Sequence, residues 1–297
     1  MVATLPRLAS LERWLIPFLD LGSAIVNALP VWFGYALADV GGLTSYWVLP
    51  RKRQAARTNF SVALDRPPAS PPVGRIVRKS FRTYSRMVVD VLRLRTMPIE
   101  RLKSWIELHG LEHLDAALAR GKGVILVTPH VGNWEPASNV VAMFSYDVLA
   151  VVGSGLVSRA VSQSRQRAGM TVVEHTRAAR PAMRALRQNS VVILVADLVK
   201  DYRAAPVRLF GRDAHIAAGP AHLAVRTGAA LVPVVSIRQA DNTSIIRCEP
   251  PLYVDQHADT VAESNRLSQA IAAYFERTIV AHPEQWYPYR PLLEGRA

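Results

Sequence analysis

The stretch Gly123-Val124-Ile125-Leu126-Val127-Thr128-Pro129-His130-Val131-Gly132-Asn133-Trp134-Glu135 constrains this chain more than any other. Val124–Val127 is a short apolar run, rich in β-branched residues and led by Gly121-Lys122-Gly123, and it reads as a fully buried strand. Thr128-Pro129 ends it, because proline has no amide hydrogen to give a ladder. A helical pattern starts near Asn133 and carries Trp134, Ala137, Val140, Val141 and Phe144. His130 is therefore placed in a turn, after the carboxyl end of a strand and before a helix. Open α/β sheets bind their ligands at this edge.

Three more buried strands are predicted at Asp147–Gly153, Val191–Ala196 and Leu231–Ile237, with helical patterns between them. The expected class is α/β, a mostly buried central sheet flanked by helices. Ser244–Val254 is read as a last strand, and Pro250-Pro251 within it argues for a sheet edge. Residues 73–97 and 258–281 read as long amphipathic helices, and Gly219-Pro220 opens a shorter one, with proline in its first turn. No linker splits the chain, so residues 51–297 form one α/β domain preceded by an apolar segment, residues 1–50.

His130 can take a proton from an alcohol near neutral pH. It does so better with a carboxylate holding its other ring nitrogen. Two acids compete for that place. Glu135 is close in sequence, but five residues of continuous helix would set the side chains about 140° apart. Facing requires a bend at Pro129–Gly132, which Gly132 permits. Asp197 follows the apolar strand Val191–Ala196, where a carboxylate can orient a group on a neighbouring strand's loop; it could also cap a helix or pair with Lys200 or Arg203. Arg165 and Arg167 lie on a helix closed by Gly169, and either forked guanidinium suits a phosphate or an oxyanion. The amides at Gly219 could face an anion or an acyl carbonyl.

The net charge is +13 over 297 residues, half of them apolar. With no helix-turn-helix, zinc-finger or RNA-recognition signature, nucleic acid is set aside for an anionic membrane surface. Cys248 is the single cysteine, which excludes an internal disulfide and a multi-cysteine zinc site; no metal or cofactor is expected. The apolar run from Trp14 to Val40 is broken by Pro17, Asp20 and Pro30. It predicts two membrane-facing helices, 10–28 and 31–48, carrying interfacial aromatics and followed by Arg51-Lys52-Arg53 and Arg57.

Three segments, in order, carry a resemblance. His130-Val131-Gly132-Asn133-Trp134-Glu135 resembles the His-x4-Asp/Glu motif of glycerolipid acyltransferases. It is closer to the His-x-Gly-Asn-Trp-Asp/Glu form of bacterial lipid A late acyltransferases and mycobacterial phosphatidylinositol mannoside acyltransferases. Val207-Arg208-Leu209-Phe210-Gly211, Gly219-Pro220-Ala221-His222-Leu223-Ala224 and Thr227-Gly228-Ala229 are similar to the family's Phe-Phe-Gly, Gly-Pro-Ala-x-Leu-Ala and Thr-Gly-Ala. His282–Pro291 resembles its C-terminal signature, on the mannoside side. Arg53–Phe60 is a looser match.

The resemblance implies a glycerolipid acyltransferase-like fold and transfer of an acyl chain from acyl-CoA or acyl carrier protein to a sugar hydroxyl of a membrane glycolipid, at the cytoplasmic face of a bacterial inner membrane. His130 would be the base, Glu135 or Asp197 its partner, and Asn133, Trp134, Arg165, Arg167 and Gly219 would contact substrate. The rivals are a lysophospholipid acyltransferase, although its Phe-Pro-Glu-Gly-Thr segment is absent, and a glycolipid-binding protein without chemistry.

Overall fold

The computed structural model describes residues 17, 19–94, 97, 99–142, 144–153, 156–197 and 204–293. Its centre is a seven-stranded sheet built from β1 (Ile106–His109), β2 (Val124–Thr128), β3 (Val148–Val152), β4 (Thr171–Glu174), β5 (Val191–Val195), β8 (Ala230–Arg238) and β9 (Ser244–Cys248), in the order β1-β9-β8-β2-β5-β3-β4. β6 (Ala204–Leu209) and β7 (Arg212–Ala217) form a separate hairpin. β8, β2, β5, β3 and β4 run parallel, and β9 turns antiparallel to β8. Alternate residues of β2 feed different cores: Ile125 and Val127 face one cluster, Val124 and Leu126 the other. Two-sided burial explains why this strand reads as a continuous apolar run.

The last strand differs from the sequence expectation. It stops at Cys248, before Pro250-Pro251, and lies between β1 and β8 instead of at the edge. The prolines fall outside the ladder, so every residue of β9 keeps its amide for pairing. Cys248 is buried there.

Among the described residues, α2 (Val31–Val48), α3 (Pro50–Ala63), α4 (Pro71–Leu94) and the short α5 (Ile99–Lys103) precede the sheet, while α6 (Leu111–Leu118) and α9 (Ala179–Arg187) connect its strands. Residues 19–28 are also helical and form α1; residues 10–16 and 18 of the predicted first helix lie outside the described residues. α2 lies on α4 through a buried stripe of Gly34, Tyr35, Ala38, Gly42 and Tyr46. At Gly42 the helices are so close that a Cβ would sit 2.7 Å from the Arg82 Cα. The opposite face carries Trp32, Phe33, Leu37, Val40 and Trp47 into solvent. Among the described residues no helix is long and apolar enough to cross a membrane.

Candidate active site

Strand register brings the first pair together. β2 and β5 are parallel neighbours with Thr128 beside Val195, and the Ala196 amide extends the ladder to the Thr128 carbonyl at 3.0 Å. Two residues past each strand end, His130 and Asp197 are therefore side by side. His130 Nδ1 lies 2.6 Å from Asp197 Oδ1, with the histidine 27% and the aspartate 5% exposed. The other carboxylate oxygen, Oδ2, accepts the indole N–H of Trp286 at 3.2 Å. Asp197 is thus fixed from two sides. Lys200 and Arg203 lie outside the described residues.

The turn that carries His130 is clamped by backbone on both flanks. Gly132 N–H donates to the Gln285 carbonyl at 2.8 Å, Tyr287 N–H to the His130 carbonyl at 3.2 Å, and Asn133 N–H to Ser236 on β8 at 3.0 Å. Gly132 has φ +67°, and a Cβ there would meet the Ser236 carbonyl oxygen at 1.7 Å, so the bend needs glycine in both conformation and space. The C-terminal segment is held in turn by Asn59, whose amide donates to the Pro288 and Arg290 carbonyls, and by Ser80, whose hydroxyl donates to the Trp286 carbonyl. The Arg53–Phe60 and His282–Pro291 segments, remote in sequence, thereby meet behind the histidine.

Glu135 is occupied elsewhere. It sits in the first turn of α7 (Trp134–Ala142) and takes a two-pronged bond from Arg165 on α8 (Leu156–Arg167), Nη2 to Oε1 at 2.8 Å and Nε to Oε2 at 3.2 Å. The Trp134 indole N–H joins it at 3.0 Å. The chain bends as Gly132 allows, but the bend turns Glu135 toward α8. The two pairs are linked through Trp134, whose ring meets His130 edge-on with centroids 5.2 Å apart. Trp134 and Arg165 also line a small apolar cavity of ≈ 30 Å³ with Leu126, Val195 and Val234.

The remaining predicted residues separate. Asn133 turns inward and donates to Asp90 Oδ2 at 2.7 Å. Arg167 is exposed, unlike Arg165. Gly219 is exposed at the start of α10 (Gly219–Thr227), shortly after Ala217, whose amide donates to the Ala196 carbonyl next to Asp197. Sequence reasoning missed Trp286 as a site residue, although the C-terminal signature contains it. It also missed the buried group behind Asn133, where Asp90 accepts from Tyr35 at 2.7 Å and from Arg238. Burial alone would lower the Arg238 pKa, but the charges and hydrogen bonds of Asp90 and Tyr35 together outweigh it and raise it, while burial and the same aspartate push the Tyr35 phenol up. Tyr35 on α2, Asp90 on α4 and Arg238 at the end of β8 are far apart in sequence, so no local stretch signals their meeting. Among the described residues no three His, Cys, Asp or Glu side chains converge as metal ligands would.

Residues 2–293 match the family described as bacterial lipid A biosynthesis acyltransferase. The chain belongs to that family. It is also similar to a phosphatidylinositol mannoside acyltransferase of Mycobacterium tuberculosis (strain CDC 1551 / Oshkosh), 31% identical over 280 residues that cover 91% of this chain and 85% of the relative. A protein of the same description from Mycolicibacterium smegmatis is 30% identical over 284 residues, covering 92% and 90%. In this member of the lipid A acyltransferase family, the strand-end histidine meets Asp197 and the motif's acid, Glu135, meets Arg165.

Proposed function

We propose that this protein moves a fatty acyl chain from a thioester, acyl-CoA or acyl carrier protein, to a sugar hydroxyl of a membrane glycolipid. The relatives' descriptions point to a phosphatidylinositol mannoside as acceptor. The observation that carries the reading is the 2.6 Å contact of His130 Nδ1 with Asp197, which leaves Nε2 for the substrate. Asp197 accepts the Nδ1 hydrogen and so fixes the tautomer whose Nε2 lone pair is basic. As the hydroxyl oxygen bonds to the thioester carbonyl carbon, its proton passes to Nε2. Collapse of the tetrahedral species breaks the carbon–sulfur bond, and the imidazolium returns the proton to the leaving thiolate. Asp197, held by Trp286, stabilises the imidazolium in between.

An acyl-enzyme through cysteine is disfavoured. Burial, aided by Glu112 and Glu249, pushes the Cys248 thiol up to about 12, so it is not a ready nucleophile. Arg165 spends both prongs on Glu135, so its part is to fix Trp134 against His130, more than to grip a phosphate. The exposed apolar face of α2 then meets the bilayer that holds the acceptor, at the cytoplasmic face where thioester donors are available.

The test offers labelled palmitoyl-CoA with a phosphatidylinositol mannoside, a lipid A precursor and lysophosphatidate in parallel. Acylation of the mannoside, lost in His130→Ala, is expected. Acylation of lysophosphatidate instead would make the protein a phospholipid-forming enzyme. Absence of turnover with CoA and carrier-protein donors would leave only a glycolipid-binding role.

A further inference from the structure

The arginines of the N-terminal helices fall into two groups. On α4, Arg86 donates from Nε to Asp39 Oδ1 and from Nη2 to Asp39 Oδ2, both at 2.7 Å, and Arg82 joins the same carboxylate. One turn earlier, Arg78 has no such partner. It points to a corner shared with Arg57 and Arg53 of α3, around Tyr46 at the end of α2. Arg57 Nη2 donates to the Tyr46 hydroxyl at 3.1 Å, and Arg53 Nη1 to the Tyr46 carbonyl at 3.1 Å. The Arg53 and Arg78 guanidinium carbons lie 5.2 and 6.0 Å from the tyrosine ring centre. Arg57 Nε is buried with no hydrogen-bond partner. Among the described residues no carboxylate pairs with any of the three.

Three like charges gathered without a counter-ion repel one another. Forked guanidiniums of this kind match the oxygens of a phosphate. Tyr46 itself is 2% exposed, roofed by these side chains. Burial opposes its ionisation, yet Arg57 and Arg78 outweigh burial and hold the phenol below its ordinary pKa. The surroundings decide which phosphate fits. Next to the corner, Trp47 is 67% and Val48 64% exposed, continuing the bare apolar face of α2. An apolar face bordered by unpaired arginines matches the boundary between acyl chains and headgroups.

We infer that Tyr46, Arg53, Arg57 and Arg78 form a binding site for the phosphate of an anionic phospholipid headgroup, separate from the acyl-transfer centre and seating α2 on the bilayer. It rests on the membrane placement proposed above, but not on the chemistry at His130.

The experiment measures binding of the full chain to vesicles of phosphatidylcholine with and without phosphatidylglycerol. Arg57→Gln/Arg78→Gln is expected to weaken binding to the anionic vesicles about thirtyfold. Arg187→Gln/Arg226→Gln, which removes equal charge from exposed sites on other helices, stays within about twofold of wild type. Arg57→Lys/Arg78→Lys keeps the charge and loses the fork, and is expected to lose about tenfold. Equal loss in the Arg187/Arg226 variant, or full binding in the lysine variant, would reduce the corner to diffuse electrostatics and overturn the site. Titration with inorganic phosphate, followed by arginine side-chain NMR, separates the sources. Saturable phosphate binding at the corner, with no recruitment to anionic vesicles, would overturn the lipid assignment. Acyl transfer to a detergent-dispersed acceptor is expected to be unchanged in Arg57→Gln/Arg78→Gln, so a failed binding site and a failed acyltransferase reading give different results.

Discussion

Two hydrogen-bonded pairs flank Trp134, and they differ in how far they are closed off from solvent. His130–Asp197 has one ring nitrogen engaged and a quarter of the imidazole open to solvent. Glu135–Arg165 is sealed, with the two partners 8% and 5% exposed and both carboxylate oxygens taken. An imidazole with a free nitrogen near the surface can exchange a proton with a substrate. A guanidinium never releases its proton at working pH, and its buried pairing fixes shape. On the function proposed above, the motif that joins His130 to Glu135 in sequence joins a chemical group to a scaffolding one.

The comparison breaks first on activity. His130→Ala is expected to lower turnover by about 10⁴-fold or more, and Asp197→Asn by about 10²–10⁴-fold, with thermal unfolding little changed. Glu135→Gln should show the reverse emphasis. It leaves the Arg165 charge buried without a counter-charge, at a cost of about 3–5 kcal/mol read by urea unfolding. If Glu135→Gln were fully stable but inactive, and Asp197→Asn active, the roles assigned to the two acids would be exchanged.

Pairs of graded exposure sharpen the contrast. Arg86–Asp39 is half-way, its side chains 30% and 15% exposed. Burial works against the Asp39 carboxylate, and hydrogen bonds from Arg86 and Arg82 overcome it, so its pKa lies below the ordinary value. A depressed folded-state pKa gives stability that is complete above the unfolded-state pKa and is lost as pH falls through the folded one. Asp39→Asn should cost about 1 kcal/mol at neutral pH, and the difference from wild type should vanish in strong acid, as followed by unfolding at a series of pH values. Arg208–Asp213 is mostly open to water, its side chains 66% and 90% exposed. Arg208→Gln should stay within ~0.5 kcal/mol of wild type in the same assay, the smallest effect of the series.

Much of the frame was legible locally. The apolar runs at Val124–Val127 and Val191–Ala196 are strands because two-sided burial requires unbroken hydrophobicity, and that signal needs no knowledge of neighbours. The turn at His130 was legible for the same reason, since proline ends the ladder and Gly132 supplies the positive φ. The edge assignment of the last strand failed because proline marks where a ladder stops, not which strand lies beyond it.

Residue order alone determined that a histidine stands at a strand end, that an acid follows it by five, and that another acid ends a later strand. Which acid meets the histidine was decided by the sheet. β5 inserts beside β2 in parallel, with Thr128 beside Val195, and that register carries Asp197 to His130. The rotation of α7 carries Glu135 to Arg165. Trp286 arrives from 89 residues beyond Asp197 to hold its second oxygen. Strand order and helix rotation are set by how apolar surfaces share two cores, a sum over the whole chain, so no local stretch contains them.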